Sequence, residues 1–184
     1  NAVPSDKIIL AARAEAVRKR GMHPIKKVIF KTLKLQRLFD FGMKTGSKFQ
    51  GLAMKRIEGK HYGARLRFDV GLGKDKVFPN LAAKPFRSQY PTVVKVANPK
   101  KRVGFFTGCM INYFYTDMGK AVVDVLTAND VEVIIPPEQG CCGIPASVNG
   151  DVASAKALAK RNLKAFEEMG ADALIVSCSS GGTA

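Results

Sequence analysis

After Arg102 the sequence alternates between short apolar runs and longer stretches with helical periodicity. A strand followed by a helix, repeated along a chain, is the pattern of an α/β fold with a parallel sheet. We therefore predict a Rossmann-like βαβαβ domain over residues 102–184. Its expected strands are residues 103–107, 131–135 and 173–176, and its expected helices are residues 116–129 and 151–169.

Each of the four cysteines follows one of these predicted strands. Cys109 follows the first strand, Cys141 and Cys142 lie in the loop after the second, and Cys178 follows the third. The carboxyl ends of parallel strands lie at one edge of a sheet, and ligands of open parallel sheets bind there. We therefore expect the topology of the sheet to bring the four thiols to one edge.

Four thiols at one sheet edge have several chemical interpretations. Free cysteines are often small buried apolar residues. Structural zinc takes pairs of thiols roughly two to four residues apart, which the adjacent Cys141 and Cys142 fit poorly. A catalytic thiol needs a nearby histidine, and His23 and His61 both lie in the N-terminal half. An iron–sulfur cluster takes thiolate ligands, and the glycines on either side of the cysteine pair would let the backbone approach cluster sulfides.

The charge of the chain is divided unevenly. Residues 1–102 carry 25 Lys and Arg against 6 Asp and Glu, a net charge of +19, whereas residues 103–184 carry 5 against 9, a net charge of −4. Within the basic half we predict a helical segment over residues 1–57 and an extended connector, punctuated by Gly and Pro, over residues 58–101. The positive charge predicts an acidic partner or an anionic membrane surface. Nucleic acid is not an expected partner, because no base-reading motif accompanies the charge.

The start of the chain is polar and then basic, without a signal-peptide pattern. No apolar run reaches the roughly 20 residues that a helix needs to cross a bilayer. Cysteines without a secretory signal are expected to stay reduced, available to metals or catalysis rather than to disulfides. We therefore expect a cytoplasmic protein, with the inner face of the membrane as an alternative location.

The spacing of the cysteines is specific. There are 31 residues between Cys109 and Cys141 and 35 between Cys142 and Cys178, and the central pair stands in a Gly-Cys-Cys-Gly run. With this signature, residues 103–184 closely resemble the cysteine-rich CCG domain. That domain occurs in iron–sulfur subunits of glycolate oxidase, of lactate-utilisation oxidoreductases and of anaerobic glycerol-3-phosphate dehydrogenase, and in heterodisulfide reductase.

The resemblance has departures. The family motif closes with one more cysteine, and this chain has Gly181 at that position. The ferredoxin-type cysteine runs expected upstream and the second CCG repeat expected downstream are not in this sequence. The chain therefore resembles a middle slice of a larger subunit.

The resemblance implies that Cys109, Cys141, Cys142 and Cys178 hold a four-iron four-sulfur cluster, with Gly181 leaving at most four thiolates. It also implies an electron-transfer subunit. Such a subunit relays electrons from a flavoprotein that oxidises a 2-hydroxy acid or a similar substrate toward quinone or a disulfide. The basic segment would dock on another subunit, and this part of the chain would have no turnover of its own. The alternative is an interaction module, without a cluster or with zinc, that docks through its basic arm.

Overall fold

The computed structural model describes residues 3–57, 63–67 and 76–182. Parts of the predicted connector, residues 58–62 with His61 and residues 68–75, lie outside the described residues. Three helices form the N-terminal arm: α1 (Ser5–Arg20), α2 (Pro24–Lys34) and α3 (Gln36–Ala53). Four short strands follow: β1 (Met54–Arg56), β2 (Ala64–Leu66), β3 (Val77–Phe78) and β4 (Val93–Val94), with a 3-10 helix (Phe86–Gln89) before β4. The remaining elements are β5 (Lys101–Phe106), α4 (Gly108–Tyr113), α5 (Thr116–Ala128), β6 (Val131–Ile134), α6 (Ile144–Ser147), α7 (Val152–Glu167), β7 (Ala173–Val176) and α8 (Ser179–Gly182).

The main sheet has the strand order β4-β6-β5-β7. Strand β5 lies in its interior and pairs in parallel with both β6 and β7, so the parallel arrangement predicted for these three strands is confirmed. The sheet is nevertheless mixed, because β4 pairs antiparallel with β6, with Val93 opposite Ile134. The sequence did not indicate β4, since two valines between polar residues and prolines are too short a run for a strand signal.

The helices between the parallel strands follow the predicted pattern with small differences at their ends. Helix α5 covers most of the expected residues 116–129, and α7 lies within the expected 151–169. Helix α7 is capped by Asp151, whose side chain accepts a hydrogen bond of 3.0 Å from the backbone N–H of Ser154. Two short helices, α4 and α6, were not predicted, because six and four residues are too few to show helical periodicity.

The connector was predicted to be extended, and its described part contains more structure than that. Strands β2 and β3 of the connector form a small antiparallel sheet with β1. Strand β1 covers Met54–Arg56, so the end of the segment predicted to be helical is a strand instead. Phe86, in the 3-10 helix, is fully buried, and its ring meets that of Phe105 edge-on with 5.8 Å between the centroids. This part of the connector therefore packs into the core beside β5, because burying an aromatic ring stabilises the fold by roughly 1.5–3 kcal/mol.

The arm packs on the α/β fold through α2. This helix begins at Pro24, a favoured first position. Its buried residues, Phe30 and Leu33, join a core cluster that includes Cys141 and Leu158. The helix thus covers one side of the cysteine loop. No helix in the described ranges is long and apolar enough to cross a membrane.

Candidate metal centre

The four cysteines lie at the carboxyl ends of the three parallel strands. Cys109 is the second residue of α4, which begins just after β5. Cys141 and Cys142 lie between β6 and α6, and Cys178 lies between β7 and α8. Because β6 and β7 flank β5 in the sheet, loops that are far apart in the sequence meet at one edge.

Three of the thiols form a chain of hydrogen bonds. The thiol of Cys142 donates to the sulfur of Cys141, and the thiol of Cys141 donates to the sulfur of Cys109. Cys178 is near enough to Cys109 for the charges of the two sulfurs to interact. None of the four cysteines is in a disulfide. The structure therefore brings together all four cysteines singled out from the sequence, three of them in direct contact.

These contacts divide the acidity of the thiols unequally. The hydrogen bond from Cys141 lowers the pKa of the Cys109 thiol below its ordinary value. The same hydrogen bond raises the pKa of Cys141, and donation to Cys141 together with burial raises the pKa of Cys142. Of these three sulfurs, that of Cys109 is the one best prepared to carry negative charge.

The Cys-Cys-Gly run has a backbone reason for its glycine. Gly143 has φ +97°, a conformation that residues with a side chain rarely adopt, and a Cβ there would lie 2.9 Å from the carbonyl oxygen of Ala155 on α7. With glycine in place, the backbone N–H groups of Gly143 and Ile144 donate to the sulfurs of Cys141 and Cys142. Such donors stabilise sulfur in its charged form.

Two buried amides hold the cysteine loop against its neighbours. Gln139 is fully buried; its Oε1 accepts hydrogen bonds from Thr107 N (2.8 Å) and Oγ1 (3.1 Å), and its Nε2 donates to Phe105 O (3.1 Å). Asn162 on α7 accepts from Gly140 N at 2.8 Å and donates to Cys141 O at 2.9 Å. The loop is thereby tied to the end of β5 and to α7, which sets the relative positions of the cysteines.

Some buried polar atoms of residues close to the cysteines have no hydrogen-bond partner. Within the described ranges, four buried side-chain polar atoms have no hydrogen-bond partner, and three belong to residues beside the cysteines. Ser177 precedes Cys178, Arg87 interacts electrostatically with Cys109, and Arg161 does so with Cys141. Buried donors of this kind are rare in proteins because each costs about 1–3 kcal/mol. The four atoms are Asn80 Nδ2, Arg87 Nη1, Arg161 Nε and Ser177 Oγ.

The donor set fits an iron–sulfur cluster. Its members are soft thiols, which suit iron–sulfur clusters and zinc, and the unpartnered N–H and O–H groups around them match the anionic sulfur of a thiolate-bound cluster. In the part of the chain that the structure describes, no three His, Cys, Asp or Glu side chains are grouped so as to hold a single metal ion. Beside Cys142 a mostly apolar cavity of about 360 Å³ opens between α7 and β7, and Gly181 lines it.

Comparison with known families shows what this part of the chain is similar to. Residues 103–183 match the cysteine-rich domain family called CCG. We call this part of the chain the cysteine-rich domain, after the family that it is similar to. The cysteine-rich domain therefore coincides with β5 to α8, the elements that carry all four thiols. No solved structure matches the chain.

Curated relatives extend the likeness. The chain is 33% identical over 104 residues to the "probable glycolate oxidase iron-sulfur subunit" of Bacillus subtilis, covering 56% of this chain and 23% of the relative. It is 40% identical over 85 residues to one of the subunits of the CoM/CoB fumarate reductase of Methanothermobacter marburgensis, covering 46% and 17%. It is 45% identical over 67 residues to lactate utilization protein A of Bacillus velezensis, covering 36% and 28%. The chain thus covers less than a third of the length of these relatives.

Several residues that shape the cysteine-rich domain were missed by sequence reasoning. Gln139 and Asn162 frame the cysteine loop, and Arg87 and Arg161 lie beside the thiols. Asn162 had a local signal, because it stands four residues after Leu158 and four before Phe166, on the buried stripe of α7. Arg87 comes from the connector and carried no such signal.

Proposed function

We propose that this chain is part of an iron–sulfur electron-transfer subunit of an oxidoreductase complex. Cys109, Cys141, Cys142 and Cys178 would hold a four-iron four-sulfur cluster at the sheet edge of a Rossmann-like domain. The observation that carries the proposal is the meeting of these four thiols, from three separate loops, among buried donors that lack acceptors. A bound cluster would supply a site that accepts and releases single electrons.

The residues of the chain have defined tasks in this role. Gly143 and Ile144 donate backbone hydrogen bonds to the sulfurs, and Gln139 and Asn162 keep the loop in register with β5 and α7. Helix α2 covers Cys141 with Phe30 and Leu33. Burial and hydrogen bonds to sulfur are the means by which a protein sets the reduction potential of a cluster.

The complex around this subunit is proposed from the names of its relatives. Glycolate oxidase, fumarate reductase and lactate utilization appear among them. We propose a flavoprotein partner that oxidises a 2-hydroxy acid or a similar substrate, with electrons passing through the cysteine-rich domain toward quinone or a disulfide. We also propose that the subunit is cytoplasmic.

The arm supplies the docking surface for another subunit. Between Pro24 and Ala53 it carries seven Lys and Arg and one acid, Asp40, and Asp40 is engaged by Tyr113 and Arg87. Helices α2 and α3, with Leu35 between them, expose many large apolar side chains to solvent. Apolar residues among lysines fit a partner surface with an acidic rim around an apolar centre. These exposed residues are Ile25, Val28, Ile29, Leu35, Leu38, Phe41, Phe49 and Leu52.

Iron and acid-labile sulfide measured after anaerobic reconstitution test the cluster. We expect stoichiometric iron and sulfide in the wild-type chain and a loss of both in Cys141→Ser, with circular dichroism showing that the variant is folded. Ser88→Ala, at an exposed site, is the control and should bind as the wild type does. Tight zinc without sulfide would overturn the proposal in favour of a zinc-binding interaction module.

Binding to lipid vesicles tests whether the arm docks on a membrane surface instead of on another subunit. We expect no binding to phosphatidylcholine vesicles, with or without phosphatidylglycerol, at physiological salt. Binding that requires the anionic lipid and weakens steeply as salt is added would instead assign the arm to a membrane surface, because the Debye length shrinks to about 8 Å at 0.15 M.

A further inference from the structure

Two arginines lie inside the junction between the arm and the cysteine-rich domain. Arg87 comes from the 3-10 helix, and its side chain is only 8% exposed. Arg161 comes from α7 and is partly buried. Arg87 interacts electrostatically with Cys109 and Arg161 with Cys141. Two permanent positive charges therefore approach the thiols from two different elements.

The charge of these arginines is only partly balanced. The carboxylate of Asp40 lies 3.7 Å from Arg87 Nη2, and it also accepts hydrogen bonds from Tyr113 and Gln36. Glu138, on the cysteine loop, is exposed, and within the described ranges it forms no ion pair with either arginine. One carboxylate thus faces two guanidinium groups, which leaves positive charge beside the sulfurs.

The hydrogen bonds of Arg161 orient its guanidinium without using all its donors. Its Nη1 donates to Lys34 O at 3.2 Å and its Nη2 to Gln36 Oε1 at 3.3 Å, both at the junction of α2 and α3. Its Nε, like Nη1 of Arg87, is buried without a partner. The energetic cost of such unpartnered donors is removed when a negatively charged acceptor lies next to them.

The absence of a side chain at Gly140 allows the guanidinium of Arg161 to lie against the cysteine loop. A Cβ at this position, next to Cys141, would overlap Arg161 Nη2 and Gln36 Oε1. Any side chain would displace the guanidinium. The glycine before the cysteine pair therefore gives Arg161 its place beside the backbone of the cysteine loop.

We infer that Arg87 and Arg161 compensate the negative charge of the bound cluster with their own positive charge and thereby raise its reduction potential. This inference rests on the proposed function. A four-iron cluster held by thiolates is an anion and gains negative charge on reduction. Buried cations beside it stabilise the reduced form more than the oxidised form, because Coulomb interactions are stronger at low dielectric.

The inference is tested in the reconstituted chain by redox titration followed by electron paramagnetic resonance. Arg161→Gln and Arg87→Gln should each lower the equilibrium constant for reduction about tenfold, a shift of about 59 mV for a one-electron couple. Arg161→Lys and Arg87→Lys should restore most of the potential. Arg20→Gln, which removes one charge at an exposed site of α1, should leave the potential unchanged.

Iron and sulfide content, with circular dichroism for folding, separates the outcomes. A folded glutamine variant that loses the cluster while the lysine variant keeps it supports the inference, because the charge is then needed to hold the anion. Glutamine variants with wild-type potential overturn it, and so does loss of the cluster from both the glutamine and the lysine variants. A wild-type chain that takes up no iron or sulfide overturns the proposed function itself and the inference with it.

Discussion

The side chain of Gln139 reaches the end of β5, where its Oε1 accepts hydrogen bonds from both N and Oγ1 of Thr107. Thr107 stands two residues before Cys109, and Gln139 stands two residues before Cys141. The amide therefore joins the two loops that carry the first and second cysteines. Both residues are buried, so water does not compete for these hydrogen bonds.

Removing this amide should destabilise the fold and loosen the site. We expect Gln139→Leu to lower the free energy of unfolding by about 2–4 kcal/mol, because the buried Thr107 N–H and Phe105 C=O lose their partner. Urea denaturation followed by circular dichroism measures the change. Gln89→Ala, which removes an exposed glutamine, should stay within about 0.5 kcal/mol. If Gln139→Leu and Gln89→Ala lowered the free energy of unfolding equally, the buried hydrogen bonds of Gln139 would not stabilise the fold as argued.

The glycine after the cysteine pair should tolerate no side chain. Gly170 serves as the control for this position, because it also has a positive φ, +65°, but no atom within 4 Å of a Cβ placed there. Gly170→Ala therefore measures backbone strain alone, about 1–2 kcal/mol. Gly143→Ala adds a contact with Ala155, and we expect it to cost about 1–3 kcal/mol more. Thermal or urea unfolding of the two variants gives the comparison. A Gly143→Ala cost no greater than that of Gly170→Ala would show that the loop can move away from α7.

The arm should contribute to stability through its buried face alone. Phe30 packs in the cluster that contains Cys141, so Phe30→Ala should cost about 3–5 kcal/mol of unfolding free energy. Leu52 on α3 is 72% exposed, and Leu52→Ala should change stability by less than about 0.5 kcal/mol. Urea denaturation of both variants checks this, and a large loss in Leu52→Ala would mean that the outer face of the arm is already covered.

Alkaline conditions should reveal the burial of Tyr113. Burial, followed by its hydrogen bond to Asp40, raises the pKa of this phenol above the ordinary value of 10.0. Below pH 10 the phenol is protonated in both states. Above pH 10 the unfolded chain releases the proton while the folded chain retains it, so this contribution to stability falls by up to about 1.4 kcal/mol per pH unit.

Tyr113→Phe isolates this contribution because it cannot ionise. The difference in unfolding free energy between the wild type and this variant should shrink as pH rises from about 9 to 11. Guanidinium denaturation at several pH values measures it. A difference that stays constant over this range would show that the phenol ionises alike in the folded and unfolded states.

Much of the cysteine-rich domain could be predicted because its signals are local. The apolar runs at β5, β6 and β7 and the helical periodicity of α5 and α7 are properties of short windows. From these elements the parallel sheet follows, and from the sheet follows the meeting of the cysteines at its edge. The helical character of the N-terminal arm was readable for the same reason.

The other side chains around the thiols could be found only from the folded chain. Arg87 stands 22 residues before Cys109, and Arg161 stands 20 residues after Cys141, so no spacing rule connects them to the cysteines. The same holds for the pairing of Gln139 with Thr107. The main strands and helices, and the cysteines that follow the strands, could be read from the amino-acid order, because these depend on neighbours along the chain. The charge and hydrogen bonding around the sulfurs come from the packing of α2, α7 and the connector, because those depend on contacts between distant segments.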